Sequence, residues 1–278
     1  LVGSEMCIRD RYHAISTQAP DDLARELSIS EDKAELLLPT AMIYHNIFEE
    51  TDAEFMWLSG ITICDGMAAD FAECKEHIVP AHPFSDDIIS VSRKLAERFC
   101  CDTEHIHQVE IAALKLFDAL RKANHLTKKD RLLLQIAAIL HNCGSFLNLN
   151  DIGENSYKIV TSTEIIGLSH QERMTVAYVI RYTTGDFPEY SEIKNEFSRE
   201  EYIKIAKLNA ILCLADAMDR SHQQKFTNFT VRKRGYDLTI TGQTLYDITL
   251  EHGMFIQKSP FFEEAFGIRP VLRQKKCL

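Results

Sequence analysis

Several features that mark particular protein classes are scarce or absent in this sequence. No apolar run approaches the ~20 residues that a membrane-spanning helix needs, so the pattern predicts no membrane segment. Positive charge is in the minority, because 31 Lys and Arg stand against 41 Asp and Glu and give a formal net charge of -10. DNA and anionic membranes attract basic proteins, so the composition argues against both as general partners and leaves room only for a local basic groove.

Paired cysteines and the common nucleotide-binding motifs are missing as well. The eight cysteines form no Cys-x-x-Cys pair, and only Cys100 and Cys101 are neighbours. This spacing fits neither a zinc cage nor the disulfide framework of a small secreted protein. We therefore expect all eight to be free, buried thiols, and we expect a cytoplasmic location. The sequence also contains no Walker loop, no Gly-x-Ser-x-Gly elbow and no Gly-x-Gly-x-x-Gly fingerprint.

The first residues, LVGSEMCIRDR, have neither hydrophobic periodicity nor the pattern of a signal peptide. They resemble a peptide that is produced when sequencing-adapter DNA is translated together with a gene. We expect residues 1–11 to be non-native and the gene to be truncated there. A native disordered tail is the alternative.

Residues 12–80 are expected to begin with helices and to end in one α/β unit. A long helix is predicted at 31–49, and Pro39 should split or kink it, because proline removes a backbone donor. The stretch AEFMWLSGITICDGMAADFAE then indicates a strand, a turn and a helix that starts near Asp65. A single such unit is too little for a complete α/β domain.

Residues 85–225 are predicted to be almost entirely helical. Amphipathic patterns indicate helices at 104–122 and 130–142, and capping boxes at Ser169 and Ser198 should each open a further long helix. After Phe226 the pattern changes to that of a small α+β region. We expect a hairpin in NFTVRKRGYDLTITG, a strand at YDITLE, a short helix at SPFFEEAFG and a final strand at RPVLRQK.

Polar residues at three helix positions could form a metal site. His107 lies early in the first amphipathic helix, the pair His141 and Asn142 ends the central helix, and Asp216 is late in a third helix. Phosphohydrolases of the HD superfamily take a His, a His-Asp pair and a distant Asp in this order to bind a divalent ion that activates water. Asn142 lacks the charge of that Asp, which weakens a divalent site. The favoured interpretation is structural, with His141 and Asn142 hydrogen-bonding the helix end and the following loop.

Taken in order, these segments resemble the C-terminal part of the exopolyphosphatase / guanosine pentaphosphate phosphatase family. AELLLPTAMIYHNIF and WLSGITICDGMAADFAE are similar to the end of its second actin-like (RNase H-like) domain. LLLQIAAILHNCG and TEIIGLSHQERMTVAYVIRY are similar to its HD-like helical domain, and LADAMDRSH and FFEEAFGIRPVLR complete the series. The resemblance implies a mainly α fold with three parts after residue 11: an actin-like remnant at 12–80, an HD-like helical domain at 85–225 and a small α+β domain at 226–278.

The resemblance also implies a function that this sequence carries only in part. Members of the family remove a terminal phosphate from polyphosphate or guanosine pentaphosphate between two actin-like domains, where Mg²⁺ is expected and a loop of the Asp-x-Gly-Gly-Gly-Ser type holds phosphate. That loop is absent from these 278 residues. No catalytic residue or cofactor is therefore assigned to this chain, and its own enzymatic activity stays an open question.

The role that the resemblance implies for the helical domain is polyphosphate binding and formation of a homodimer. Basic residues cluster at 121–131, 231–235 and 273–276, either as solvated faces or as a polyanion groove. The polyanion-binding candidates in the helical domain are Arg121, Lys128, Lys129, Arg131 and Arg181. The alternatives are a metal-dependent phosphohydrolase of the HD type that uses the four polar residues above, and a non-catalytic binding module.

Overall fold

The computed structural model describes residues 2–4, 12–51, 55–57, 63–74, 84–121, 124–226 and 228–275. The chain divides into two compact units, Leu1–Ala81 and His82–Leu278. Within the described part of the chain, no helix is both long enough and apolar enough to cross a membrane.

The first unit is small and mainly helical. Strands β1 (Val2–Ser4) and β2 (Phe55–Trp57) pair antiparallel, and residues 12–17 are helical. The remaining helices are α1 (Pro20–Leu27), α2 (Glu31–Glu35), α3 (Leu37–Glu49) and α4 (Ile63–Cys74). The helix predicted at 31–49 is interrupted at Leu36 and not at Pro39. Pro39 lies in the first turn of α3, where a backbone N–H has no intrahelical partner, so the ring breaks no hydrogen bond there.

The second unit begins with a helical bundle. Its helices are α5 (Phe84–Arg98), α6 (Thr103–Leu120), α7 (Lys128–Leu140), α8 (Ile152–Ser162), α9 (His170–Arg181), α10 (Tyr190–Ile193) and α11 (Arg199–Ala217), with a 3₁₀ turn at Cys143–Phe146. The helices predicted at 104–122 and 130–142 correspond to α6 and α7. Both predicted capping boxes are present, since Ser169 and Ser198 each accept from the backbone N–H three residues on. The long apolar helices α6, α7 and α11 supply nearly half of the residues of the buried core.

The second unit ends in a three-stranded sheet with one helix. Strand β3 (Asn228–Arg234) pairs antiparallel with β4 (Asp237–Gln243), which pairs parallel with β5 (Arg269–Lys275). Helix α12 (Thr249–Phe266) connects β4 to β5. The predicted hairpin and final strand are confirmed, but α12 replaces the predicted strand at 246–251 and the short helix after it. Six residues of alternating pattern do not distinguish a strand from the start of a helix.

One hydrophobic core joins the sheet to the bundle. Phe226, Leu238, Phe255, Phe262 and Leu272 belong to the same buried cluster as the central helices. The mainly α fold with a small α+β end, predicted from the sequence, is confirmed. The domain boundaries remain a prediction; the described structure adds that the parts on either side of residue 225 share one core.

Candidate functional site

Polar side chains meet at the ends of three helices in the second unit. His105 lies in the first turn of α6, His141 directly follows the last residue of α7, and Asp216 lies in the last turn of α11. Asp102 fixes the start of α6, because its carboxylate accepts from the backbone N–H groups of Glu104 and His105. We call His105, His141 and Asp216 the histidine cluster.

In the cluster, one atom of each of the three side chains lies close to one atom of each of the other two. His105 Nε2 lies 3.2 Å from His141 Nε2. Asp216 Oδ1 is 3.4 Å from His105 Nε2 and 3.6 Å from His141 Nε2. The histidine side chains are buried, at 1% and 5% exposed, while that of Asp216 is 16% exposed. Asp216 therefore gives the cluster its opening to solvent.

The other ring nitrogen, Nδ1, of each histidine in the cluster already has a hydrogen-bond partner. His105 Nδ1 lies 2.9 Å from Asp219 Oδ2, and His141 Nδ1 lies 2.8 Å from the carbonyl oxygen of Ala138. A carbonyl oxygen only accepts, so Nδ1 of His141 carries the proton and its Nε2 has a free lone pair when the ring is neutral. Both rings are thus oriented with Nε2 toward Asp216.

The charges of His105 and Asp216 shift each other's pKa. Burial opposes the charged form of His105, but hydrogen bonds to Asp216 and Asp219 outweigh it and raise the pKa of His105 to about 9. Burial likewise opposes the charge of Asp216, yet its contacts with His105 and His141 hold its pKa far below the usual range. A buried carboxylate and imidazolium stabilise each other here.

The segment after α11 covers the cluster. The ring of His222 stacks on that of His105, with centroids 3.6 Å apart and planes at 7°, and its Nδ1 lies 3.0 Å from Asp102 Oδ2. Asp219 accepts from the backbone and side-chain N–H groups of Gln224 at 2.7 and 3.2 Å. The motif LADAMDRSH thus contributes a ligand-like carboxylate, a buried supporting carboxylate and a stacked ring.

The turn after His141 is fastened through backbone groups. Ser156 Oγ donates to the carbonyl oxygen of His141 at 2.9 Å and accepts from the N–H of Gly144 at 2.7 Å. A Cβ on Gly144 would lie 2.2 Å from the carbonyl oxygen of Ile152, so only glycine fits. Ser145 Oγ donates to the carbonyl oxygen of Asn142 at 2.7 Å. The turn is thus held through the backbone carbonyl groups of residues 141 and 142, in addition to the bond of the His141 side chain to Ala138.

The structure brings together two of the four predicted metal-site residues, His141 and Asp216, with Asn142 adjacent in sequence. The structure does not bring His107 to these residues: it is exposed on α6, while His105 occupies the cluster. His105 and His107 point to different faces of α6. His105 shares the buried face with Val109, Ala112 and Leu116, so helical periodicity could have identified it.

The predicted polyanion-binding residues of the helical domain lie on its surface, and three are bound to carboxylates. Arg131 holds Asp118 through two hydrogen bonds of 2.9 and 3.0 Å. The remaining four are placed as follows: Arg181 pairs with Glu154 at 2.7 Å, Lys129 pairs with Glu172, Lys128 is exposed and Arg121 is half-buried. Pairing lowers the positive charge that these residues offer to a ligand.

The histidine cluster fits a divalent metal ion by geometry and by chemistry. Ligand atoms bound at about 2.0–2.1 Å to one tetrahedral ion lie about 3.3–3.4 Å apart, and the three observed separations of 3.2, 3.4 and 3.6 Å bracket that value. Ligating histidines usually donate the other N–H to a carboxylate or carbonyl, as Asp219 and Ala138 allow here. Two imidazoles and one carboxylate suit Zn²⁺, Mn²⁺ or Fe²⁺ better than Mg²⁺.

Comparison with known proteins places the fold in a family. Residues 89–257 match the family model described as Ppx/GppA phosphatase, domain III. No curated protein matches the chain. The match runs from within α5 to the middle of α12, includes the whole histidine cluster, and confirms the family that the sequence motifs indicated.

Proposed function

This chain belongs to the Ppx/GppA phosphatase family, and from that premise we propose that it is the polyphosphate-binding part of a phosphoanhydride hydrolase. The substrate would be polyphosphate or guanosine pentaphosphate, and its terminal phosphate would be removed. The family match over most of the second unit carries this proposal. The sequence has no phosphate loop of the Asp-x-Gly-Gly-Gly-Ser type, so we assign Mg²⁺ and the hydrolytic step to residues outside these 278.

Binding and hydrolysis can be tested separately on this chain. End-labelled long-chain polyphosphate should bind the purified protein at low ionic strength, with an affinity that falls as salt is added, because salt screens exposed charges. With Mg²⁺ present, the chain alone should release no phosphate from polyphosphate or guanosine pentaphosphate. Absence of binding at low ionic strength overturns the binding role, and phosphate release by this chain overturns the assignment of catalysis elsewhere.

We also propose that the chain forms a homodimer, as its family resemblance implies. Sedimentation equilibrium over a wide concentration range should give a mass near twice the 31.8 kDa of one chain. A monomer at every concentration, with and without polyphosphate, contradicts this part of the proposal.

A second candidate function is that of a metal-dependent phosphohydrolase of the HD type, which the convergence of the cluster on Asp216 Oδ1 favours. A bound ion would supply an activated water and polarise a phosphoryl oxygen. His105 and His141 would hold it through Nε2, and Asp219 and Ala138 would keep the rings oriented. Two residues weaken the attraction of the site for a cation. Asn142 carries no charge, and the positively charged Arg220 places its Nη1 3.6 Å from Asp216 Oδ2.

Metal binding has a readout that does not depend on activity. Titration with Co²⁺ should produce a visible absorption band typical of an ion with a low coordination number. Added Zn²⁺ should reduce this band by displacing Co²⁺ from the site. Asp216→Asn should weaken Zn²⁺ binding on the order of 100-fold, since even supporting residues of metal sites contribute 10–100-fold. His107→Gln is the matched control, because it removes an exposed imidazole two residues from His105. Equal binding by the two variants excludes the cluster as the site.

Hydrolysis of a model phosphodiester by the metal-loaded protein then separates a catalytic ion from a structural one. Turnover that disappears with Asp216→Asn, while His107→Gln keeps it, supports the phosphohydrolase. A loaded site without turnover leaves the ion a structural role and removes this second candidate.

A further inference from the structure

The C-terminal sheet brings two separate basic runs of the sequence onto one surface. Residues 231–235 lie in and after β3, and residues 273–275 lie in β5, on the two sides of β4. Leu238, Ile240 and Leu272 point into the core, so their neighbours along each strand point outward. We call the outward positions of the three strands the outer sheet face.

The outer sheet face is strongly basic, in a chain whose net charge is -10. Its register rows are Asn228–Gln243–Lys275, Thr230–Thr241–Arg273, Arg232–Thr239–Val271 and Arg234–Asp237–Arg269. Five of these twelve side chains are cationic and one is a carboxylate.

Most of this positive charge is unpaired. Asp237 is bound by Arg269, whose Nε and Nη2 both lie 3.0 Å from Asp237 Oδ1. Arg232, Arg234, Arg273 and Lys275 are exposed, and within the described residues none of them pairs with a carboxylate. Unlike Arg131 and Arg181 in the helical domain, these four cations are available to an external anion.

Neutral donors lie between the two basic edges. A concave region on this face is lined by Arg232 and Lys275 together with Asn228, Thr230, Thr241, Gln243 and the buried Phe229. Hydroxyl and amide groups donate hydrogen bonds to phosphoryl oxygens, and arginine forms charge-assisted, often bidentate, bonds to phosphate. The described lining contains no carboxylate that would repel an anion.

We propose that the outer sheet face binds inorganic polyphosphate, which crosses the strands between Arg232 and Arg234 on β3 and Arg273 and Lys275 on β5. The two edge strands lie about 9–10 Å apart, so one phosphate ion does not span them, whereas a linear polyanion does. None of the twelve outward positions is aromatic, Phe229 is only 6% exposed, and the exposed Tyr236 lies in the turn between β3 and β4. Bases therefore have no ring to stack on across the strands, which favours a bare phosphate chain over single-stranded RNA. This inference rests on the proposed function and names its binding surface.

The test compares two double variants with the same change in charge. Arg232→Gln with Lys275→Gln removes two cations from the outer sheet face. Lys94→Gln with Arg98→Gln removes one exposed lysine and one exposed arginine from α5, which packs against α7. Long-chain polyphosphate is titrated into each protein over a range of salt concentrations, and circular dichroism confirms that each variant is folded.

The sheet variant should bind polyphosphate at least about tenfold more weakly at low ionic strength, with a shallower dependence of affinity on salt, because fewer counterions are released. The α5 variant should stay within about twofold of the original chain. Equal affinity of the two variants overturns this inference and leaves the proposed function intact, provided that the original chain binds. If the original chain binds no polyphosphate, the proposed binding function fails first. Competition by poly(U) RNA equal to that of polyphosphate overturns the choice of ligand.

Discussion

The histidine cluster and the outer sheet face use charge in opposite ways. His105 of the cluster and its supporting partner Asp219 are each 1% exposed and lie 2.9 Å apart, so these buried charges are paired. On the sheet, four exposed cations have no carboxylate partner within the described residues. A buried charge is tolerated only when it is paired, whereas an exposed one is stabilised by water and remains available to a ligand. Burial thus separates charges that support the fold from charges that can recognise an anion.

The largest expected effect compares two aspartates that make similar contacts at different depths. Asp219→Ala removes one of the two carboxylates that hold the buried His105, the one in direct contact at 2.9 Å, and should lower the free energy of unfolding by ~3–5 kcal/mol. Asp237→Ala breaks an exposed pair of similar length, 3.0 Å, and should cost ~0–1 kcal/mol. Urea denaturation followed by circular dichroism measures both. Similar losses would contradict the role assigned to burial.

A smaller loss is expected at the turn that supports His141. Gly144→Ala places a methyl group against the carbonyl oxygen of Ile152 and the backbone of Ser156, which cannot move without shifting α8. Overpacking of this kind costs ~1–3 kcal/mol. Gly185→Ala is the control, since its added Cβ meets nothing within 4 Å. Equal stability of the two variants would mean that the turn adapts and does not fix the cluster.

Local patterns predicted the helices well and the cluster only in part. The spacing of apolar residues and the capping boxes at Ser169 and Ser198 were sufficient for α6, α7, α9 and α11. The partners of His105 could not be read locally, because Asp219 is 114 residues away and reaches it only through the packing of α6 against α11. The same holds for the outer sheet face, whose basic runs become neighbours only through the parallel pairing of β4 with β5.

Restoring a carboxylate beside the cluster should strengthen metal binding. Asn142→Asp adds a negative charge next to His141, and at a few ångströms such a charge is worth enough to tighten Zn²⁺ binding by roughly tenfold or more. Asn150→Asp makes the same change in an exposed position of the following loop. Its affinity should differ little from that of the original chain. An identical response of the two variants would show that the charge at residue 142 does not act on the ion.

The smallest effect is expected where surface charge is already neutralised. Arg131→Gln combined with Asp118→Asn removes a whole ion pair and leaves the net charge unchanged. Because the two groups are bound to each other at 2.9 and 3.0 Å and are exposed, stability should change by less than ~1 kcal/mol. Polyphosphate affinity, measured in the same titrations as for the sheet variant, should change by less than about twofold. A tenfold loss of affinity would indicate that polyphosphate binds the helical surface. Arg131 would then exchange its bond to Asp118 for a contact with the polymer.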